Sequence, residues 1–181
     1  MNTVPAVRVT ATARIRASRE QVWAVLTDFS TMHRWFAGLR AVRLEGPPEV
    51  GATRLVTFMG GLTHRETVTA WKPPSRLALV AEEASGLIAP GATVDIRLEE
   101  DHDARADGAG SAGRAGTAGG ARTSGAQGSM RVRLDWAIEH RLEMGRVLAA
   151  LTRPLDRGLV GVALRLSLAR LKRRAESAFR S

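Results

Sequence analysis

The chain of 181 residues contains no cysteine, which rules out both a disulfide framework and a thiol nucleophile. It has no run approaching the roughly 18 uncharged apolar residues that a membrane-spanning helix needs. The first thirty residues alternate polar with apolar, and no apolar stretch followed by a cleavage site is visible among them. Together these absences predict a cytoplasmic protein. The four histidines, His33, His64, His102 and His140, are scattered, and none sits at a helical or loop spacing from a second ligand, so no metal is expected. No Gly-x-Ser-x-Gly elbow occurs. Gly60-Gly61 reads as a hairpin turn, and the glycines after residue 101 precede a strand, not a helix. A phosphate-cradling loop is therefore excluded, and no cofactor is predicted.

What is present is one core's worth of chain, so a single domain over 1–181 is expected. The net charge of +9 is unevenly placed. From Arg141 onward there are 10 Lys/Arg against 3 Asp/Glu, a balance of +7, which leaves +2 for everything before it. A basic C-terminal segment suits a solvated helix end, where the macrodipole favours cations. It also suits peripheral contact with an anionic membrane or a partner. Specific nucleic-acid binding is not expected.

Val7, Val9, Ala11, Ala13 and Ile15 alternate with Arg8, Thr10, Thr12, Arg14 and Arg16, the period of a half-buried strand. Ser18-Arg-Glu-Gln21 has the spacing of a capping box, and the helix it opens buries Val22, Val25, Leu26 and Phe29. Asp28 or Ser30 is placed to cap a second short helix carrying Met32, His33, Trp35 and Phe36, ended by Gly38. Gly46-Pro-Pro48, Gly60-Gly61, Pro73-Pro74 and Ala89-Pro-Gly91 then divide the chain into strands near 39–45, 52–59, 63–71, 75–83 and 92–100. Between Asp101 and Gly128, 16 of 28 residues are Gly or Ala and no large apolar residue occurs. Such a stretch cannot offset its ordering entropy by burial, so 101–128 is expected to be a mobile insertion between the last two strands. Met130, Val132, Leu134, Trp136 and Ile138 mark the last strand.

Leu148, Leu151, Leu155, Leu159, Val162, Leu166 and Ala169 recur at three- and four-residue steps along a long C-terminal helix. This stripe is expected to face the sheet. A kink is expected at Pro154, with Thr152 capping the second piece. Leu164, Leu168 and Leu171 then fall on the opposite side, an apolar face available for a membrane or a homodimer. The order is strand, two short helices, six strands, long helix: an α+β arrangement with a seven-stranded antiparallel sheet.

The run from Ala13 to Asp28 (Ala-Arg-Ile-Arg-Ala-Ser-Arg-Glu-Gln-Val-Trp-Ala-Val-Leu-Thr-Asp) carries a family resemblance, with Trp35, Gly51, Trp71-Lys-Pro-Pro-Ser-Arg-Leu77 and Leu168-Ala-Arg-Leu-Lys172. It resembles the START and pollen-allergen-like helix-grip superfamily, SRPBCC, and within it the polyketide cyclase/dehydrase and lipid-transport group. The likeness spans nearly the whole chain and departs from the pattern in the Gly/Ala insertion. It implies a curved sheet gripping the C-terminal helix over a largely apolar cavity for a hydrophobic small molecule. The side chains placed around that cavity are Trp35, Phe36, Phe58, Trp136, Leu155, Leu159 and Val162, all of which read equally as plain core. Gly158 and Gly161 qualify that reading. Glycine costs roughly 1 kcal/mol inside a helix, so something, sheet or ligand, is expected close to the backbone at both. His64 and Glu66 lie two apart on one strand and share a face. If it faces inward they form a candidate acid/base pair; if outward they are solvated residues.

Overall fold

The structure, a computed structural model, describes residues 7–84, 91–101, 129–138 and 146–178, with side chains described over 8–82, 91–101, 129–137 and 158–178. Of the expected insertion over 101–128, all but Asp101 lies outside these described residues, as do His140 and the side chain of Leu155.

Strand β1 (Val7–Arg16) is followed by helix α1 (Arg19–Thr27), a 3-10 helix (Phe29–Arg34), and strands β2 (Leu39–Glu45), β3 (Thr53–Phe58) and β4 (Thr63–Lys72). Then come β5 (Arg76–Ala84), β6 (Thr93–Glu100), β7 (Ser129–Ile138) and helix α2 (Arg146–Ala178). The strands form one seven-stranded sheet in the order β1-β7-β6-β5-β4-β3-β2, every described pair antiparallel. Strands β2 to β7 run as a meander, and β7 closes back on β1. The result is an α+β helix-grip fold.

Alternation along β1 and β7 puts Ala11 opposite Leu134, Ala13 opposite Val132 and Ile15 opposite Met130 on the inner face. On the outer face the charges answer one another. Thr10 Oγ1 donates to Asp135 at 2.6 Å, Arg133 pairs with Asp135 at 2.8 Å, and Arg76 and Arg97 both reach Asp95. Such exposed pairs each contribute no more than about 1 kcal/mol.

The capping box of α1 is made as its spacing predicts. The Gln21 amide donates to Ser18 Oγ at 3.2 Å and the Ser18 amide donates to Gln21 Oε1 at 2.8 Å. The second short helix differs from expectation. It is a 3-10 turn that stops at Arg34, so Trp35 and Phe36 lie beyond it, and Asp28 accepts from the Ser30 and Thr31 hydroxyls and not from a backbone amide. An aromatic line, Trp23 against Trp71 at 5.3 Å and Phe29 against Trp71 at 6.3 Å, joins α1 and the 3-10 helix to the sheet.

Helix α2 runs without a break through Pro154, so no separate second piece begins at Thr152. Its orientation corrects the sequence reading. Leu164, Leu168 and Leu171 are 2 %, 2 % and 1 % exposed, whereas Leu159, Val162 and Leu166 are 71 %, 53 % and 47 % exposed. The supposed outer face is the core face. The reason is where each stripe leads. Continued by three- and four-residue steps, Leu159-Val162-Leu166-Ala169 runs into Arg173 and Glu176, while Leu164-Leu168-Leu171 runs on to buried Ala175. Only the second stays apolar to the end of the helix. Leu164, Leu168 and Leu171 therefore offer no surface to a membrane or a second copy. Ser167, buried on the same side, accepts from the Ala37 amide at 2.9 Å and pins the helix to the start of β2.

Candidate functional site

Strands β3 and β4 pair so that Arg54 stands opposite Glu66 and Val56 opposite His64. Because side chains alternate, Arg54 and Val56 on one strand and His64, Glu66, Val68 and Ala70 on the other point to the same, inner face. His64 and Glu66 are thus buried together. The residue that sequence reasoning missed is Arg54, also buried, which completes the group.

Arg54 Nε lies 2.5 Å from Glu66 Oε2, and His64 Nε2 lies 2.7 Å from Glu66 Oε1. Both carboxylate oxygens are engaged. The guanidinium also approaches Met32 Sδ at 3.5 Å and sits over the Phe29 ring, 5.2 Å from its centroid. On the far side, the His64 ring lies 5.1 Å from that of Phe58. Burial by itself raises the Glu66 pKa, but the charge of Arg54 and the hydrogen bonds and charge around it outweigh this and hold the carboxyl below its ordinary value. An ionised Glu66 makes His64 Nε2 the donor in their bond. In a neutral ring that leaves Nδ1 as an acceptor.

Among the residues expected to line a cavity, Trp35 is completely buried and packs edge-on against Phe36 at 5.7 Å. Its indole Nε1 is buried with no hydrogen-bond partner among the described residues. Phe36, Phe58 and Trp136 are half-buried against the core. Leu159 and Val162 face outward and leave the set because of the helix orientation. Gly158 leaves it too: a side chain there would meet no described residue within 4 Å. At Gly161, the approach comes from the sheet, since a Cβ would lie 3.7 Å from Val9 Cγ1, an ordinary contact.

The concavities bounded by described residues include two open ones, and none of the expected lining residues borders either. One, of about 630 Å³, lies between the 3-10 helix and the C-terminal part of α2 and is bounded by Arg34, Arg170, Arg173, Arg174, Glu176 and Ser177. The other, of about 300 Å³, is bounded by Thr12, Ala13, Arg14 and Arg131. Among the described residues no group of three His, Asp or Glu is placed to hold a metal ion, and no helix is long and apolar enough to cross a membrane.

The model of the family described as polyketide cyclase / dehydrase and lipid transport matches residues 6–176. No curated protein sequence matches the chain. Solved structures do. A Thermus thermophilus protein aligns at a TM-score of 0.67 with 14 % identity, over 96 % of this chain and 99 % of its own. A START superfamily protein from Mycobacterium smegmatis aligns at 0.63 with 12 % identity, covering 94 % and 98 %. The Aha1 dimer from Colwellia psychrerythraea gives 0.54 with 16 % identity, covering 96 % and 98 %. At these identities the likeness is one of fold.

Proposed function

Because the chain belongs to the polyketide cyclase / dehydrase and lipid transport family, we propose that it binds a hydrophobic or amphipathic small molecule, lipid- or polyketide-like, between the sheet and α2. The observation that carries this reading is the Arg54–Glu66–His64 group on the inner face. A buried ion pair is rarely a better stabiliser than well-packed apolar residues of the same volume. A polar group kept in an apolar interior is what a ligand with one polar end requires. His64 Nδ1 supplies an acceptor and Trp35 Nε1 a spare donor, flanked by Phe36 and Phe58. Titration with N-phenylnaphthylamine, an uncharged fluorescent probe, followed by displacement with a long-chain fatty acid, tests it. Saturable displaceable binding, weakened in Trp35→Ala and His64→Ala variants that stay folded, is expected. Failure of the folded wild type to take up the probe would sink the reading.

A second reading, a polyketide cyclase or dehydratase, is favoured by one detail. Glu66 holds His64 through Nε2, the arrangement by which a carboxylate fixes a catalytic imidazole. In this reading His64 Nδ1 moves the proton and Glu66 orients it, since both Glu66 oxygens are already occupied. Histidine acid/base catalysis contributes about 10²–10⁴-fold. Turnover of a poly-β-keto surrogate should fall by that much in His64→Ala, with affinity changed less than about tenfold, near 1.4 kcal/mol. Unchanged turnover would end it.

A further inference from the structure

The concavity on the outer side of α2 collects four guanidinium groups. Arg170, Arg173 and Arg174 stand within one turn or so of helix, and Arg34 comes to meet them from the 3-10 helix, a different element. That convergence is what separates it from a merely basic helix end. No described residue forms an ion pair with any of the four. The concavity's one carboxylate, Glu176, is already committed: its Oε1 accepts from the Arg16 amide at 2.8 Å, with Lys172 Nζ at 3.9 Å. Asp28 is close enough to feel the charge of Arg174, but it is engaged by the Ser30 and Thr31 hydroxyls. Four cations therefore face one anion that is spoken for.

We infer that this concavity is a binding site for a phosphate-bearing group. The guanidinium fork matches phosphate oxygens two at a time, and a phosphomonoester carries about −1.5 to −2 at neutral pH, which suits converging cations better than a single carboxylate does. About 630 Å³ leaves room for more than the phosphate itself. The neighbouring surface says what else fits. At 100° per residue, Leu159, Val162 and Leu166 lie on the same side of α2 as Arg170 and Arg173 and lead directly into the concavity, and all three are exposed. A phosphate attached to an apolar chain would find both halves of its chemistry along this one face. The site is on the opposite side of α2 from the Arg54–Glu66–His64 group and does not depend on what that group binds.

Two probes separate the sources of the phosphate: inorganic pyrophosphate by calorimetry, and phosphatidylcholine vesicles with and without phosphatidic acid by sedimentation. Saturable pyrophosphate binding points to a free phosphate ester. Binding confined to phosphatidic acid vesicles points to a lipid headgroup, and Leu159→Ser with Leu166→Ser should then weaken it. In either arm, Arg34→Gln and the pair Arg170→Gln, Arg173→Gln should weaken binding by about tenfold or more with unchanged melting temperature. Arg40→Gln, which removes an exposed arginine elsewhere, should not. Uptake of neither probe by the wild type would overturn the inference, as would an equal loss in Arg40→Gln.

Discussion

Glu66 is the residue on which the interior charge balance turns. Its replacement by Gln leaves Arg54 buried without a counter-charge, which costs about 3–5 kcal/mol when one partner of a buried pair is removed. The double variant Arg54→Met, Glu66→Met should lose much less, and urea unfolding of the three proteins checks this. The pH dependence follows from the same carboxyl. Its pKa in the folded protein is below the ordinary 4.5, so the stability it contributes is complete above that value and is lost as pH falls through the folded pKa. The stability gap between wild type and Glu66→Gln should therefore narrow below about pH 4.5; a gap constant from pH 7 to pH 3 would refute the ionised assignment. That His64 and Glu66 share a face was legible from their spacing. Arg54 was not, because its partner depends on the hairpin register. The loop closes with the Phe58 amide on the Leu62 carbonyl, with Met59, Gly60 and Gly61 between them and both glycines at positive φ. A two-residue Gly60-Gly61 loop would slip the pairing by one and set Arg54 against Thr67 instead.

Among the elements, α2 shows how a stripe of leucines misleads. Both of its candidate stripes are apolar where they are densest, and only the continuation to Ala175 separates them. Leu168→Ala should cost about 2–5 kcal/mol, and Leu166→Ala no more than about 0.5 kcal/mol as an exposed substitution; chemical denaturation giving the reverse order would invert the helix. Ser167→Ala removes the acceptor of the half-buried Ala37 amide, at about 1 kcal/mol for the lost hydrogen bond. At the other end of the chain the local signals were sufficient. Ser18→Ala should cost about 1 kcal/mol, because the cap is made by side chains that the sequence alone places.

At the scale of the whole molecule, the fold was readable because turn residues and two-residue alternation recur along the chain, and from β2 onward each strand pairs with its neighbour in sequence until β7 returns to β1. The division of labour between the two sides of α2 was not, since it depends on how the helix is rolled against the sheet. One side covers a core in which Arg54, Glu66 and His64 are buried; the other carries an apolar track into a cluster of arginines. The central claim is that the inner side receives a ligand. Trp35 reports on it directly, because its indole N–H is buried without an acceptor among the described residues and the chain has only four tryptophans. The deciding measurement is the Trp35 indole N–H resonance, assigned through Trp35→Phe, during titration with a long-chain fatty acid. A saturable shift of that resonance, accompanied by the His64 ring signals, is predicted; a fatty acid that binds while both stay unmoved would contradict the account.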